Sequence, residues 1–232
     1  MVYLNADSIG KTFNGRRILS SATLRATTGD VRVVFGRNGV GKSTLLKIAG
    51  GLVAPDTGIV QINGNTILKP SLAHLARIGV FYLPDHDLFS TSLPLGKQLS
   101  FFEQRFERRS VTEAASIANV GRLLDRLPQT LSGGELRRAE LAAVLTRRPA
   151  CLLADEPYRG IAPKDHDSLA DIFRAMAADG CAVVLTGHEA ASLMELATHI
   201  TWCTAGTTYE LGPPAASREH EAFVREYLSN KR

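Results

Sequence analysis

The sequence predicts an α/β fold: a mixed, mostly parallel sheet covered by helices, an antiparallel β subdomain at the N-terminus, and a helical subdomain inserted near the middle. Three observations predict it. Short apolar runs at 31–35, 151–154 and 182–185 alternate with longer stretches of helical periodicity, as parallel strands buried on both faces require. Ahead of Val31, apolar and polar residues alternate between turn signals at Asn14-Gly15 and Thr28-Gly29-Asp30, which reads as several short, partly antiparallel strands. From about Pro94 to Leu127 helical patterns dominate and few β-branched strand signals interrupt them.

Residues 31–35 form the strongest strand, and a glycine-rich loop follows it directly. Residues 42–49 have helical spacing with Leu45, Leu46 and Ile48 on one face, and Gly50-Gly51 ends the helix. Strands are expected at 59–62, before Asn63-Gly64, and at 80–83, before Pro84. Helices at 96–106 and 111–118 fill the insertion, and a helix at 134–145 returns the chain to the sheet strand 151–154. A helix at 165–178, a strand at 182–185, and strands at 199–203 and 207–211 follow. After Pro213-Pro214 an amphipathic helix is expected over 215–228, docked by Phe223, Tyr227 and Leu228. The whole, residues 1–232, reads as one domain, with 1–83 and 128–232 as its core and 84–127 as the insertion.

With 232 residues, 44% of them hydrophobic and 22% charged, the chain buries a substantial core without disulfides or metals. No apolar run reaches the roughly 18 residues that cross a bilayer, and the start lacks the pattern of a secretory signal, so a cytoplasmic location is expected. Cys151, Cys181 and Cys203 lie far apart in apolar stretches and read as buried packing residues. The net charge of +4 is spread in pairs such as Arg137-Arg138 and Arg147-Arg148, which are solvated helix ends and name no nucleic-acid partner.

Three groups of residues carry chemistry. Gly36-Arg37-Asn38-Gly39-Val40-Gly41-Lys42-Ser43-Thr44 has the spacing GxxxxGK[ST], in which backbone N–H groups curve around phosphate oxygens and the next helix presents its positive end. Lys42 is placed to hold the β- and γ-phosphates, and Ser43 to offer its hydroxyl to Mg²⁺, a hard cation that takes oxygen ligands. Strand, glycine loop and helix in this order make a P-loop NTPase core, with ATP and Mg²⁺ as the expected ligands. The strand 151–154 ends in Asp155-Glu156, where Asp155 is the expected metal ligand and Glu156 the group that orients or deprotonates the attacking water. The third group, Leu131-Ser132-Gly133-Gly134-Glu135, opens a helix whose free N–H groups and serine hydroxyl can bind an anion.

Phosphate loop, LSGGE and a late Asp-Glu pair in this order resemble the ATP-binding cassette family, and the resemblance runs over nearly the whole chain. It implies that Ser132, Gly133 and Gly134 close over the γ-phosphate held by a second subunit, that Phe13 stacks on adenine, and that His188 contacts the γ-phosphate. It also implies separate membrane-spanning partner subunits, and so a peripheral place on the inner face of the cell membrane. Residues 160–163, with Thr207, Glu210, Gly212 and Pro213, resemble the cassettes of lipopolysaccharide exporters and branched-chain amino-acid importers.

Two positions depart from the family pattern. Asp85 stands where the family has glutamine; it either ligates Mg²⁺ directly, at the cost of repelling the γ-phosphate, or faces solvent. Ala162 replaces an aspartate that in the family couples the two sites of the dimer. The leading reading is a Mg²⁺-dependent ATPase subunit of a transporter, acting as a dimer with itself or a paralogue. The rivals are a soluble cassette ATPase without transport and a weakly hydrolysing ATP-dependent switch.

Overall fold

The computed structural model describes residues 1–85, 88–106, 109–187 and 190–228. The N-terminal strands β1 (Val2–Phe13) and β2 (Arg16–Thr27) form a long antiparallel hairpin. Its turn is Asn14-Gly15, with φ of 49° and 76°, the two-residue geometry that matches strand twist and that only such residues adopt cheaply. Two 12-residue strands thus replace the several short ones expected. β1 is irregular along its length, its register shifting between Ala6 and Ile9 around Ser8 at φ 53°.

β3 (Val31–Phe35), α1 (Lys42–Ala49), β4 (Thr57–Ile62) and β5 (Asn65–Ile67) follow, then α2 (Leu72–Arg77) and β6 (Val80–Leu83). α3 (Leu95–Phe106) and α4 (Val111–Ile117) pack on α5 (Gly133–Arg147). This excursion closes on itself, because the amides of Leu95 and Gly96 donate to the carbonyls of Arg126 and Leu124 at 2.9 and 2.7 Å. β7 (Cys151–Ala154), α6 (His166–Ala178), β8 (Ala182–Gly187), α7 (Ala190–Leu196), β9 (His199–Thr204) and β10 (Thr207–Gly212) complete the sheet region. β5, α2 and α7 were not expected from the sequence; at three, six and seven residues, each is too short to establish a period.

The ten strands run in the order β5-β4-β1-β2-β10-β9-β3-β8-β7-β6. β6, β7, β8, β3 and β9 pair parallel with one another, and β1, β2, β4 and β5 pair antiparallel; β10 joins the two parts, antiparallel to β9 and parallel to β2. Successive residues of the central strands enter different cores. Val33, Phe35, Leu152, Ala154, Val183 and Leu185 face α5, α6 and α7, while Val34, Leu153 and Val184 face α1 and the hairpin. Every central-strand residue is buried, which accounts for their unbroken apolar runs.

α5 is buried from Arg137 to Arg147 except for Arg138. It carries an ion pair inside, Arg137 to Glu140 at 2.9 Å, with side chains 4% and 3% exposed. The single terminal helix expected over 215–228 is instead broken into α8 (Pro214–Ser217), α9 (Glu221–Phe223) and a π turn, Val224–Leu228. His220 interrupts it by capping α9 with its ring, whose Nδ1 accepts from the Phe223 amide. The expected docking holds: Phe223 is fully buried 5.7 Å from the Phe35 ring, Tyr227 lies 5.6 Å from the same ring, and Leu228 packs on that core. All three cysteines are free and buried, and burial pushes the Cys203 and Cys181 thiols up to about 11 and about 12. Among the described residues, no helix is long and apolar enough to cross a membrane.

Candidate nucleotide site

The site begins where β3 delivers the chain into the glycine loop. A Cβ at Gly36 would stand 2.6 Å from the Cys203 carbonyl oxygen and 2.8 Å from Val40 Cγ1. At Gly41, with φ 114°, it would stand 2.6 Å from Leu19 Cδ2. The loop is therefore wedged against β9 below and β2 beside it, and only glycine fits at both places. Gly41 caps α1 with no side-chain hydrogen bond, so no side chain takes the acceptor's place at the amides of the first turn. Lys42 is 4% exposed, and its ammonium spans the loop, donating to the carbonyls of Gly36 at 2.6 Å and Arg37 at 3.3 Å. An ammonium in this position is poised to exchange loop carbonyls for phosphate oxygens.

The next helical residue, Ser43, donates its hydroxyl to Asp155 Oδ1 at 2.9 Å, across 112 residues of sequence. Asp155 sits at the end of β7, 2% exposed, and is oriented by two further donors: Thr186 Oγ1 to Oδ1 at 2.7 Å and the Tyr82 hydroxyl to Oδ2 at 3.1 Å. Burial, and next the Asp155 carboxylate, push the Tyr82 phenol well above its ordinary pKa, so it remains a donor. Two hard oxygen ligands thus converge beside the phosphate loop, the donor set that suits Mg²⁺ shared with phosphate oxygens. Among the described residues no three His, Cys, Asp or Glu gather at one place. Glu156 follows in the left-handed region at φ 43°, and its amide donates to Thr186 Oγ1 at 2.9 Å. Thr186 thereby fixes both acids, and the backbone strain falls at the residue expected to act as base.

These parts enclose a cleft of about 720 Å³, lined by Phe13, Arg16, Ile18, Asn38, Gly39, Gly41, Lys42, Ser43, Thr44, Glu156, Arg159 and Gly160. Phe13 is 43% exposed at the tip of the β1–β2 hairpin, with the Lys11 ammonium 5.3 Å from its ring centre. An exposed aromatic at the mouth of a phosphate cleft offers a base a face to stack on; it is not a strand-core residue.

Ser132, Gly133 and Gly134 lie elsewhere. Ser132 caps α5 in a reciprocal box: its hydroxyl accepts from the Glu135 amide, while its own amide donates to the Glu135 carboxylate at 3.0 Å. The Ser132 amide and hydroxyl hold the Glu135 carboxyl below its ordinary pKa. Ser132 and Gly133 are exposed and do not line this chain's own cleft. They stand beside the turn that follows Glu156, where a Cβ on Gly133 would meet the Gly160 carbonyl at 3.1 Å.

The structure thus gathers Phe13, Asn38, Gly39, Gly41, Lys42, Ser43, Thr44, Asp155 and Glu156, with Gly36 supporting the loop from behind. His188 lies outside the described residues. The Asp85 carboxylate, 21% exposed, pairs with Arg159 at 2.7 Å. Arg37, 79% exposed, pairs with Glu226 of the terminal π turn at 3.2 Å. Sequence reasoning missed Tyr82, Thr186, Arg137 and Arg159. The first two carry a signal, since each nearly ends a strand parallel to β7: Tyr82 pairs with Leu153, and Thr186 follows Leu185, the partner of Ala154. Arg137 Nη1 and Nη2 donate to the carbonyls of Pro84 and Asp85 at 2.9 Å each, tying the segment after β6 to α5.

Comparison with known proteins agrees with this geometry. A family model described as ABC transporter matches residues 19–159. The lipopolysaccharide export system ATP-binding protein LptB of Haemophilus influenzae is 28% identical over 238 residues, spanning 100% of this chain and 99% of that one. A solved ATP-binding cassette of an ABC transporter superposes with a TM-score of 0.87 at 21% identity, covering 98% of this chain and 99% of its own. A bacterial ABC transporter cassette solved as a dimer gives 0.79 at 21% identity, covering 90% and 98%. The chain belongs to the ABC transporter family, as one of its ATP-binding, ATP-hydrolysing subunits.

Proposed function

We propose that the chain pairs head to tail with a second cassette, encloses two Mg²⁺-ATP at the interface, and drives separate membrane-spanning subunits from the inner face of the cell membrane. The division of the site carries this reading. One chain supplies the phosphate loop, the Ser43–Asp155 pair and Glu156 to its own cleft, yet its Ser132–Gly133–Gly134 helix start is exposed outside that cleft. A helix N-terminus with an exposed serine and two glycines suits the phosphates of a neighbouring cassette. The full-length likeness to LptB proteins supports a transporter over a free-standing ATPase.

In this reading Phe13 stacks on adenine and the amides of residues 38–44 cradle the phosphates. Lys42 leaves its loop carbonyls for the β- and γ-phosphates and balances the charge that grows on them as the bond to the leaving group lengthens. Ser43 and Asp155 would hold Mg²⁺, which when bound would supply further positive charge to the phosphates. Glu156, its backbone fixed by Thr186, accepts the proton of the water that attacks the γ-phosphate, and His188 keeps the γ-phosphate contact that the family resemblance gives it. Purification of a tagged chain from detergent-solubilised membranes tests the transport part. A polytopic membrane protein should co-purify in stoichiometric amount; a chain recovered alone from both membrane and soluble fractions would rule that part out.

A further inference from the structure

Arg159 lies three residues beyond Glu156 and lines the cleft together with Lys42, Ser43 and Glu156. Its guanidinium is 62% exposed and its Nη1 donates to Asp85 Oδ2 at 2.7 Å. The backbone of Asp85 is anchored separately, its carbonyl accepting from Arg137 at 2.9 Å. The bond between Arg159 and the carboxylate can therefore break without releasing the segment after β6. With adenine on Phe13 and the metal oxygens at Ser43 and Asp155, the end of the triphosphate is the part that reaches the residues after β7. Asp85 brings a negative charge to that end, and like charges there disfavour a terminal phosphate unless a cation stands between them. Arg159 is that cation, and its planar fork matches two phosphate oxygens as well as it matches a carboxylate.

We propose that Arg159 is a specificity-determining residue for the terminal phosphate, held by Asp85 in the absence of nucleotide and transferred to the γ-phosphate when ATP, but not ADP, occupies the cleft. This rests on the cleft being the ATP site. Asp85 is then a competitor for Arg159, and the turn 157–163 acquires a position that depends on which nucleotide is bound. Because Gly160 in this turn adjoins Gly133, the change is felt at the Ser132–Gly133–Gly134 helix start.

The test is the affinity of the full-length protein, with Mg²⁺, for β,γ-imido ATP and for ADP. Arg159→Ala should weaken the imido analogue about tenfold and ADP less than about twofold, the difference expected for loss of one charge-assisted hydrogen bond. Asp85→Asn should tighten the imido analogue by about threefold, since it removes the competitor, and the double variant should bind it better than Arg159→Ala alone. Arg159→Lys, which keeps the charge and loses the fork, should fall between wild type and Arg159→Ala. Equal losses for both nucleotides, no loss for either, or weakening by Asp85→Asn would overturn the proposal and leave the pair a structural strut. A wild-type protein that binds neither nucleotide would instead refute the ATP-site reading on which the proposal rests.

Discussion

Ser43 and Asp155, 112 positions apart in the chain, meet at 2.9 Å where the glycine loop passes the end of β7. That contact brings a helix start and a strand end into one corner, and in the proposed function these two oxygens would hold Mg²⁺ together with the phosphates. Asp155→Asn should leave ATP binding without Mg²⁺ nearly unchanged but remove most of the gain that Mg²⁺ confers. Titrations of β,γ-imido ATP with Mg²⁺ and with a chelator check this. A full Mg²⁺ effect in the variant would move the metal site elsewhere.

Glu156 is held in a left-handed backbone conformation by Thr186. Glu156→Gln should bind ATP as the parent does and turn it over about 10²- to 10⁴-fold more slowly, the range for loss of a positioned general base. Single-turnover phosphate release measures it, and turnover at the parental rate would remove Glu156 from that role.

Phe13 stands exposed at the cleft mouth. Phe13→Ala should cost ATP about 1–3 kcal/mol of binding, the range for one base–aromatic stack, while inorganic triphosphate, which has no base, binds as before. Competition between the two ligands is the readout, and an equal loss for both would place the adenine elsewhere.

Arg137 serves two masters inside α5: Glu140 beside it, and the carbonyls of Pro84 and Asp85 above it. Arg137→Ala should destabilise the protein by about 3–5 kcal/mol, because it removes a buried cation that pairs with Glu140 and holds the carbonyls of Pro84 and Asp85. Chemical denaturation measures this, and the double change with Glu140→Ala should recover part of the loss.

Glu135 closes the cap at the start of α5, and its folded pKa is depressed by the Ser132 amide and hydroxyl. Its stabilising contribution is therefore complete above the unfolded carboxyl value of about 4.3 and drains away as pH falls through the lower folded value. The stability gap between wild type and Glu135→Ala should be constant from pH 7 to about 5 and shrink below about 4, as denaturation at each pH would show.

The phosphate loop, the acidic pair and the strands around them were legible because each is written in consecutive residues whose spacing or apolarity is itself the signal. α1 and β7 came out with the bounds expected, since glycines end the one and charges end the other. What the sequence hid depends on distance. Thr186, Tyr82 and Arg159 matter only because parallel strands and the turn after β7 bring them to residues 31, 73 and 74 positions away. The broken terminal segment was hidden for another reason: Phe223, Tyr227 and Leu228 keep an apolar face whether or not His220 interrupts the helix.

The central claim is that this chain holds one half of each ATP site and presents the other half, at Ser132, to a second cassette. Sedimentation of the Glu156→Gln protein tests it most directly. The protein should be a monomer with ADP, a dimer with Mg²⁺-ATP, and a monomer again with Mg²⁺-ATP once Ser132→Arg blocks the exposed helix start. A dimer that forms equally well with Ser132→Arg, or a protein that binds ATP to saturation and stays monomeric with a second copy and with its co-purified partner cassette alike, would contradict it.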